Sequence, residues 1–390
     1  MKSDRLVIGL DFGTLSGRAV LVRVEDGGVL AEASAAYAHG VMDRQLPDGT
    51  PLGRDWALQH PSDYLDALTA VVPEVMRLAA ARPEQVIGLG VDFTGSTVVA
   101  LDGEGVPLCL REEYRDRPHA WVKLWKHHAA DREAREFTRA AREMDEDLLA
   151  RNGGRISSEC LFPKVLQAYR EDPALYAATE SYMEAADWVT MQLTGLLVRS
   201  ASCAAMKAFW RVGRGYPDDA FLCAVDPGLR GFPEAKLRGA LRGLGERAGL
   251  LTEGMAARLG LLPGTAVAVA QFDAQAAVPA LGITGPGVAL VTLGTSLAIS
   301  VAGDGFYPVQ GICSRTEGGN LPGYVGYASG QCSVGDLLGW YVEGFVPTAY
   351  TAERRACGMD MHALLTEKAA PPAPDESTIR GRWDEKLAIL

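Results

Sequence analysis

The sequence predicts an α/β fold of two lobes, and three observations carry that expectation. Strands alternate with helices through the first part of the chain. The apolar run Leu6-Val7-Ile8-Gly9-Leu10-Asp11-Phe12 stops at a Gly13-Thr14 turn and resumes at Arg18 to Val22. A second run, Val288 to Leu293, stops at Gly294-Thr295-Ser296 and resumes at Leu297 to Val301.

Glycine at a strand-to-strand turn lets backbone N–H groups point at one spot. Two such turns on facing lobes can grip a polyphosphate from both sides. The first also carries Asp11, a carboxylate suited to Mg²⁺. Either turn alone would be a plain hairpin, and no Walker loop is present. The pair is the pattern of actin-like (ribonuclease H-like), two-lobed phosphotransferases.

Bulk properties fit. A chain of 390 residues can build two cores. The net charge of −11 argues against nucleic acid or an anionic membrane as a partner. A small anionic ligand would then depend on amides and cations focused locally. Seven cysteines are scattered singly with no Cys-x-x-Cys spacing, which fits a reducing cytoplasm and argues against a disulfide framework or zinc site. The N-terminus leads straight into a strand, so no signal peptide is expected, and no apolar run reaches membrane-spanning length.

Residues 5–23 read as a hairpin, and Leu30 to Ala36 as the next strand after Asp26-Gly27-Gly28. Apolar spacing from Tyr64 to Ala81 predicts a helix, with a kink or break at Pro73. Val86 to Val91 is a buried strand leading into Asp92-Phe93-Thr94-Gly95-Ser96-Thr97. From Ala120 to Gly195 the pattern is mostly helical: Trp121 to His128, Asp131 to Arg151, Phe162 to Glu171 and Ala174 to Thr194, with Gly195 as a C-cap.

Leu262-Pro263-Gly264-Thr265 marks a domain boundary, dividing the chain into 1–262 and 263–390. The strand Ala266 to Ala270 opens the second domain and leads to Asp273. A helix is expected around Val334 to Gly344. After Pro347 the periodicity weakens, and Ala369 to Pro374 forms neither helix nor central strand. The second lobe reads as incomplete.

These segments resemble one family closely. Gly9-Leu10-Asp11-Phe12-Gly13-Thr14-Leu15-Ser16-Gly17-Arg18 looks like the N-terminal phosphate loop of FGGY carbohydrate kinases. The L-ribulokinase branch is resembled by Gly90 to Thr97, the long run Arg117-Pro118-His119-Ala120-Trp121 through Lys126-His127-His128-Ala129-Ala130, Ile156-Ser157-Ser158-Glu159, Glu184-Ala185-Ala186-Asp187-Trp188 and Gly330 to Asp336.

The resemblance implies an ATP-dependent kinase for a ketopentose, L-ribulose first, in arabinose breakdown. Asp273 matches the catalytic base; by residue chemistry alone it reads equally well as a helix N-cap. Asp11, with Asp273, would hold Mg²⁺. Gly13, Thr14, Gly294, Thr295 and Ser296 would donate to the ATP phosphates. Lys207 matches a sugar-contacting lysine, and Gly95 the pocket floor. Trp125, His127 and His128 read as packing or polar scaffold rather than catalysis.

Three departures stand out. The family's sugar-binding Glu is Ala328 here, inside Gly326-Tyr327-Ala328-Ser329-Gly330-Gln331. The sequence around the base is Gln271-Phe272-Asp273-Ala274-Gln275. The family's adenosine-binding C-terminal part is missing. An inactive fragment that binds sugar or phosphate only is therefore the alternative expectation, and an actin-like filament protein is disfavoured by the sugar-side motifs. A homodimer is compatible with the sequence, which does not set the oligomeric state.

Overall fold

A computed structural model describes residues 4–293, 297–331 and 334–369. The chain forms two compact units, one of residues up to 292 together with 298–330, the other of 293–297 and the chain from 331 onward.

The first unit is organised by a central sheet. Its order is Arg247–Leu250, Ala266–Ala268, Val86–Phe93, Leu6–Phe12, Ser16–Arg23, Val29–Ala36. Leu6–Phe12 alternates buried and half-buried residues, the period of a pleated strand. It pairs antiparallel with Ser16–Arg23 and parallel with Val86–Phe93. The intervening turn is tight, with the Gly13 N–H donating to the Ser16 carbonyl at 3.0 Å.

The helix Pro61–Leu78 begins at a His60 cap and lays Tyr64, Leu68, Val72 and Val75 into the core. It runs through Pro73, where a kink or break was expected from sequence. The absent N–H costs one hydrogen bond, and the buried stripe on both sides of Pro73 holds the helix on the sheet. Close approach explains Gly17: a Cβ there would sit 2.8 Å from the Ala67 methyl group.

The strand expected from Ala266 spans Ala266–Ala268 and pairs parallel with Val86–Phe93, Val267 opposite Leu89, within the central sheet. Two sequence expectations are corrected. The segment Trp121 to His128 is not helical. Val122–Lys123 pairs with Leu58–Gln59 in a small sheet that also contains Val98–Leu101 and Ser181–Glu184. The stretch expected as one helix from Ala174 is two, Pro173–Ala178 and Ala185–Thr194, around the strand Ser181–Glu184. Gly195 does cap the latter, with φ of 69°.

Helices Asp131–Met144, Leu161–Glu171 and Asp219–Val225 build a second core, where Phe137, Phe162, Phe209, Phe221 and Phe232 meet. A further sheet orders Ala289–Leu293, Leu297–Gly303, Val325–Gln331 and Ser314–Glu317. The second unit is helical: Val334–Phe345, Thr348–Cys357 and Met361–Ala369. Lys368 pairs with Glu353 at 2.7 Å there. Its first helix exposes Leu337, Leu338, Trp340, Tyr341 and Phe345. Among the described residues no helix is long and apolar enough to cross a membrane.

His127 is fully buried. Its Nε2 lies 2.9 Å from the Gln167 Oε1, and its Nδ1 accepts from the Ala57 N–H at 3.4 Å. Burial, reinforced by Lys123 and Lys164, holds its pKa well below 6.5. The unfolded chain therefore takes up a proton below pH 6.5 that the folded chain refuses, and stability tied to His127 is lost as pH falls. Buried Glu184 and Asp187, pushed up to about 8 and about 7, act with the opposite sign, so the test is a difference. Relative to His127→Gln, the parent protein should lose up to about 1.4 kcal/mol per pH unit below 6.5 in urea unfolding. Parallel pH curves for the two would contradict this.

Candidate functional site

Three strand ends converge on one edge of the central sheet. Parallel pairing sets Asp11 opposite Asp92, and Gln271 and Phe272 opposite Asp92 and Phe93. Asp273 follows at the start of the helix Asp273–Ala280. Ligands bind at the carboxyl ends of strands in such sheets, because side chains there face an open crevice. The Phe12 and Phe93 rings stack 5.2 Å apart behind this edge and fix it.

Two of these carboxylates, Asp92 and Asp273, have raised pKa values. Burial pushes Asp92 up to about 8, helped by the Asp11 charge, a hydrogen bond with Asp11 and the Asp273 charge. Burial likewise pushes Asp273 up to about 6, with Asp11 adding to it and the Ala274 N–H opposing it. That N–H donates to the Asp273 Oδ1 at 2.7 Å, but Asp273 is the first helical residue and Phe272 holds the N-cap position, so the N-cap reading of Asp273 is corrected. Arg18 donates to the Asp11 Oδ2 at 2.8 Å. Such crowding of oxygen donors suits a hard divalent cation, which would relieve the repulsion.

Asp92 received no role from sequence. The signal was available: Asp-Phe recurs at the ends of two strands, as Asp11-Phe12 and Asp92-Phe93.

Gly95 follows two residues after the strand Val86–Phe93, half-buried. A Cβ added there would sit 3.3 Å from the Phe272 ring. Ser96 has φ of 60°, a conformation non-glycine residues rarely adopt. Lys207 ends the helix Ala201–Lys207, and its Nζ lies 2.7 Å from the Glu159 Oε2. Burial opposes the charge on both, and their mutual attraction outweighs it: Lys207 is raised and Glu159 lowered from their ordinary values. Glu159 belongs to a motif quoted above, but nothing in the sequence tied it to Lys207.

Thr14 is held at both ends. Its carbonyl accepts from Gln59 at 2.8 Å, and its Oγ1 from the Trp125 indole at 3.1 Å. Ala328 sits half-buried in Val325–Gln331, opposite Ser314. Its sheet is anchored at Gly319, whose carbonyl accepts from Gln271 at 2.8 Å and from Ser202 at 3.0 Å. Gly294, Thr295 and Ser296 lie outside the described residues.

A separate cluster, His39, His60 and Asp63, offers metal-ligand atoms within 4.8 Å of one another. The two imidazoles stack at 4.1 Å with 14° between planes, so their in-plane lone pairs run parallel rather than converging. His39 Nδ1 bonds Asp63 at 2.7 Å, and His60 caps the helix at Ser62. This is a helix-start hydrogen-bond cluster.

The fold is that of sugar kinases. It is similar to the solved xylulose kinase from Rhodospirillum rubrum, with TM-score 0.75 and 26% identity, over 95% of this chain and 68% of that one. The model of the FGGY family of carbohydrate kinases, N-terminal domain, matches residues 6–280, and the chain belongs to that family. It is 48% identical over 374 residues to a ribulokinase of Shouchella clausii, covering 96% of this chain and 67% of the relative. It is 46% identical over 389 residues to the ribulokinase of Anoxybacillus flavithermus, covering 99% and 69%. The chain thus spans about two thirds of the length of the curated relatives it matches.

The packing at Gly95 is sterically tight. Gly95→Val should force the Phe272 ring aside and lower the unfolding free energy by about 1–3 kcal/mol, the usual overpacking cost. Adding Phe272→Leu should recover part of the loss, because the two residues touch. A Gly95→Val protein as stable as the parent in urea would contradict this packing.

Proposed function

We propose that the chain transfers the γ-phosphoryl group of ATP to a hydroxyl of a ketopentose, L-ribulose foremost. The observation that carries this reading is the half-buried acid Asp273, held beside Asp11 and Asp92 at the carboxyl edge of the sheet. Ribulokinase relatives at 46–48% identity support the choice of sugar and favour an active kinase over an inert fragment.

In this mechanism Asp273 accepts the proton from the attacking sugar hydroxyl. A carboxyl raised to about 6 is a better base than an ordinary aspartate and is still largely ionised at pH 7. Lys207, held charged by Glu159, donates to a sugar oxygen, and the Gly95 backbone forms the pocket floor. The turn at Gly13 and Thr14 donates to phosphate oxygens, with Gly294, Thr295 and Ser296 proposed to do the same. Asp11 and Asp273 would hold Mg²⁺, which when bound neutralises charge on the phosphates. Phosphoryl transfer is mostly positioning plus electrostatic stabilisation, and this inventory is of that kind. Ala328 leaves one sugar hydroxyl without a carboxylate acceptor in this reading. The domain division at 262/263 stands as a proposal about the sugar-binding and nucleotide-binding parts. A reducing cytoplasm suits the buried free thiols Cys109, Cys160 and Cys203.

Asp273→Asn should reduce turnover with L-ribulose, ATP and Mg²⁺ by roughly 10²–10⁴-fold, the usual contribution of a positioned base. Sugar affinity measured by calorimetry should stay within a few-fold, since asparagine keeps the shape. Unchanged turnover in the variant would remove Asp273 from the role of base.

A further inference from the structure

Lys164 has no place in the mechanism above, and it is the most unusual charged residue near the site. It lies on the helix Leu161–Glu171 and is 1% exposed. A buried ammonium is costly unless its protons are bonded. Its Nζ donates to two backbone carbonyls, Ser96 at 2.5 Å and Leu124 at 2.9 Å. Burial pushes its pKa down to about 8, with Glu184 and Glu159 opposing the fall.

Both carbonyls belong to segments that matter. Ser96 is the left-handed residue directly after Gly95, and it is completely buried. A non-glycine residue in that conformation costs of order 1–3 kcal/mol and persists only where its surroundings enforce it. The Lys164 bond to its carbonyl is such an enforcement. Leu124 is followed by Trp125, whose indole N–H donates to the Thr14 Oγ1 at 3.1 Å. That bond fills an acceptor position on the Thr14 hydroxyl and leaves its proton free to donate to a phosphate. One ammonium therefore grips the residue beside the sugar floor and the residue beside the partner of the phosphate turn.

We propose that Lys164 is a positioning residue that couples the sugar side of the site at Gly95 to the phosphate side at Thr14, so that occupancy of one shapes the other. Sugar binding against Gly95 would reach Thr14 through Ser96, Lys164, Leu124 and Trp125, and nucleotide binding would act in reverse. By linkage the two effects are equal in size. The proposal rests on the sugar-kinase reading given above.

Calorimetry of a non-hydrolysable ATP analogue with Mg²⁺, in the absence and presence of saturating L-ribulose, tests it. For the parent protein, sugar should tighten nucleotide binding by a factor of about 5–150, the usual range of coupling between sites. In Lys164→Met that factor should fall to near one. Trp125→Phe removes only the link to Thr14 and leaves the buried lysine in place, so it decides the matter if Lys164→Met does not fold. It too should bring the factor to near one, with sugar affinity alone almost unchanged. Coupling that survives in Trp125→Phe, or in a folded Lys164→Met, overturns the proposal. So does a parent protein that binds both ligands without coupling. A parent protein that binds no ketopentose at all overturns the functional reading and this proposal with it.

Discussion

The parallel register of three strands governs this molecule. Leu6–Phe12, Val86–Phe93 and Gln271–Phe272 end together because backbone hydrogen bonds set Asp11 beside Asp92 and Gln271 opposite it. Side chains alternate along a strand, so a shift of one residue would turn the acids away from the edge and bring core residues out. Register in turn depends on the apolar core beneath, where Leu10, Phe12, Val91 and Phe93 are nearly inaccessible to water. The chemistry at the edge and the packing behind it are thus one constraint.

Around that edge charged side chains meet partners. Half-buried Lys207 meets Glu159, and exposed Arg18 meets Asp11. Buried Lys164 bonds two carbonyls, which satisfies two of its three protons. Glu184, with both oxygens lacking a hydrogen-bond partner among the described residues, is raised to about 8 by burial and is held mainly neutral at pH 7.

Much of this could be read from the sequence, for local reasons. The first hairpin shows alternating apolar residues around a glycine turn, and such signals are short-range. Asp273 follows an apolar strand, which alone leaves base and N-cap equally open; the resemblance to FGGY carbohydrate kinases singles it out as a candidate base. What escaped is non-local. Ala266–Ala268 has only three residues, and its partner lies some 180 positions earlier at Gly88, so nothing local says which sheet it joins. Trp121 to His128 has helix-compatible residues, but pairing with Leu58–Gln59 and the burial of His127 decide its shape. Lys164 reads as an ordinary helical lysine until the carbonyls of Ser96 and Leu124 are brought to it. The helices Thr348–Cys357 and Met361–Ala369 went unread because mostly exposed helices carry weak apolar periodicity.

The central claim is that this edge moves phosphate onto a sugar rather than onto water. Phosphorus NMR of the protein incubated with ATP, Mg²⁺ and L-ribulose tests it directly. The account predicts one sugar phosphate ester formed for each ADP, with no comparable release of inorganic phosphate. ADP matched by inorganic phosphate, or no ADP at all, would contradict it.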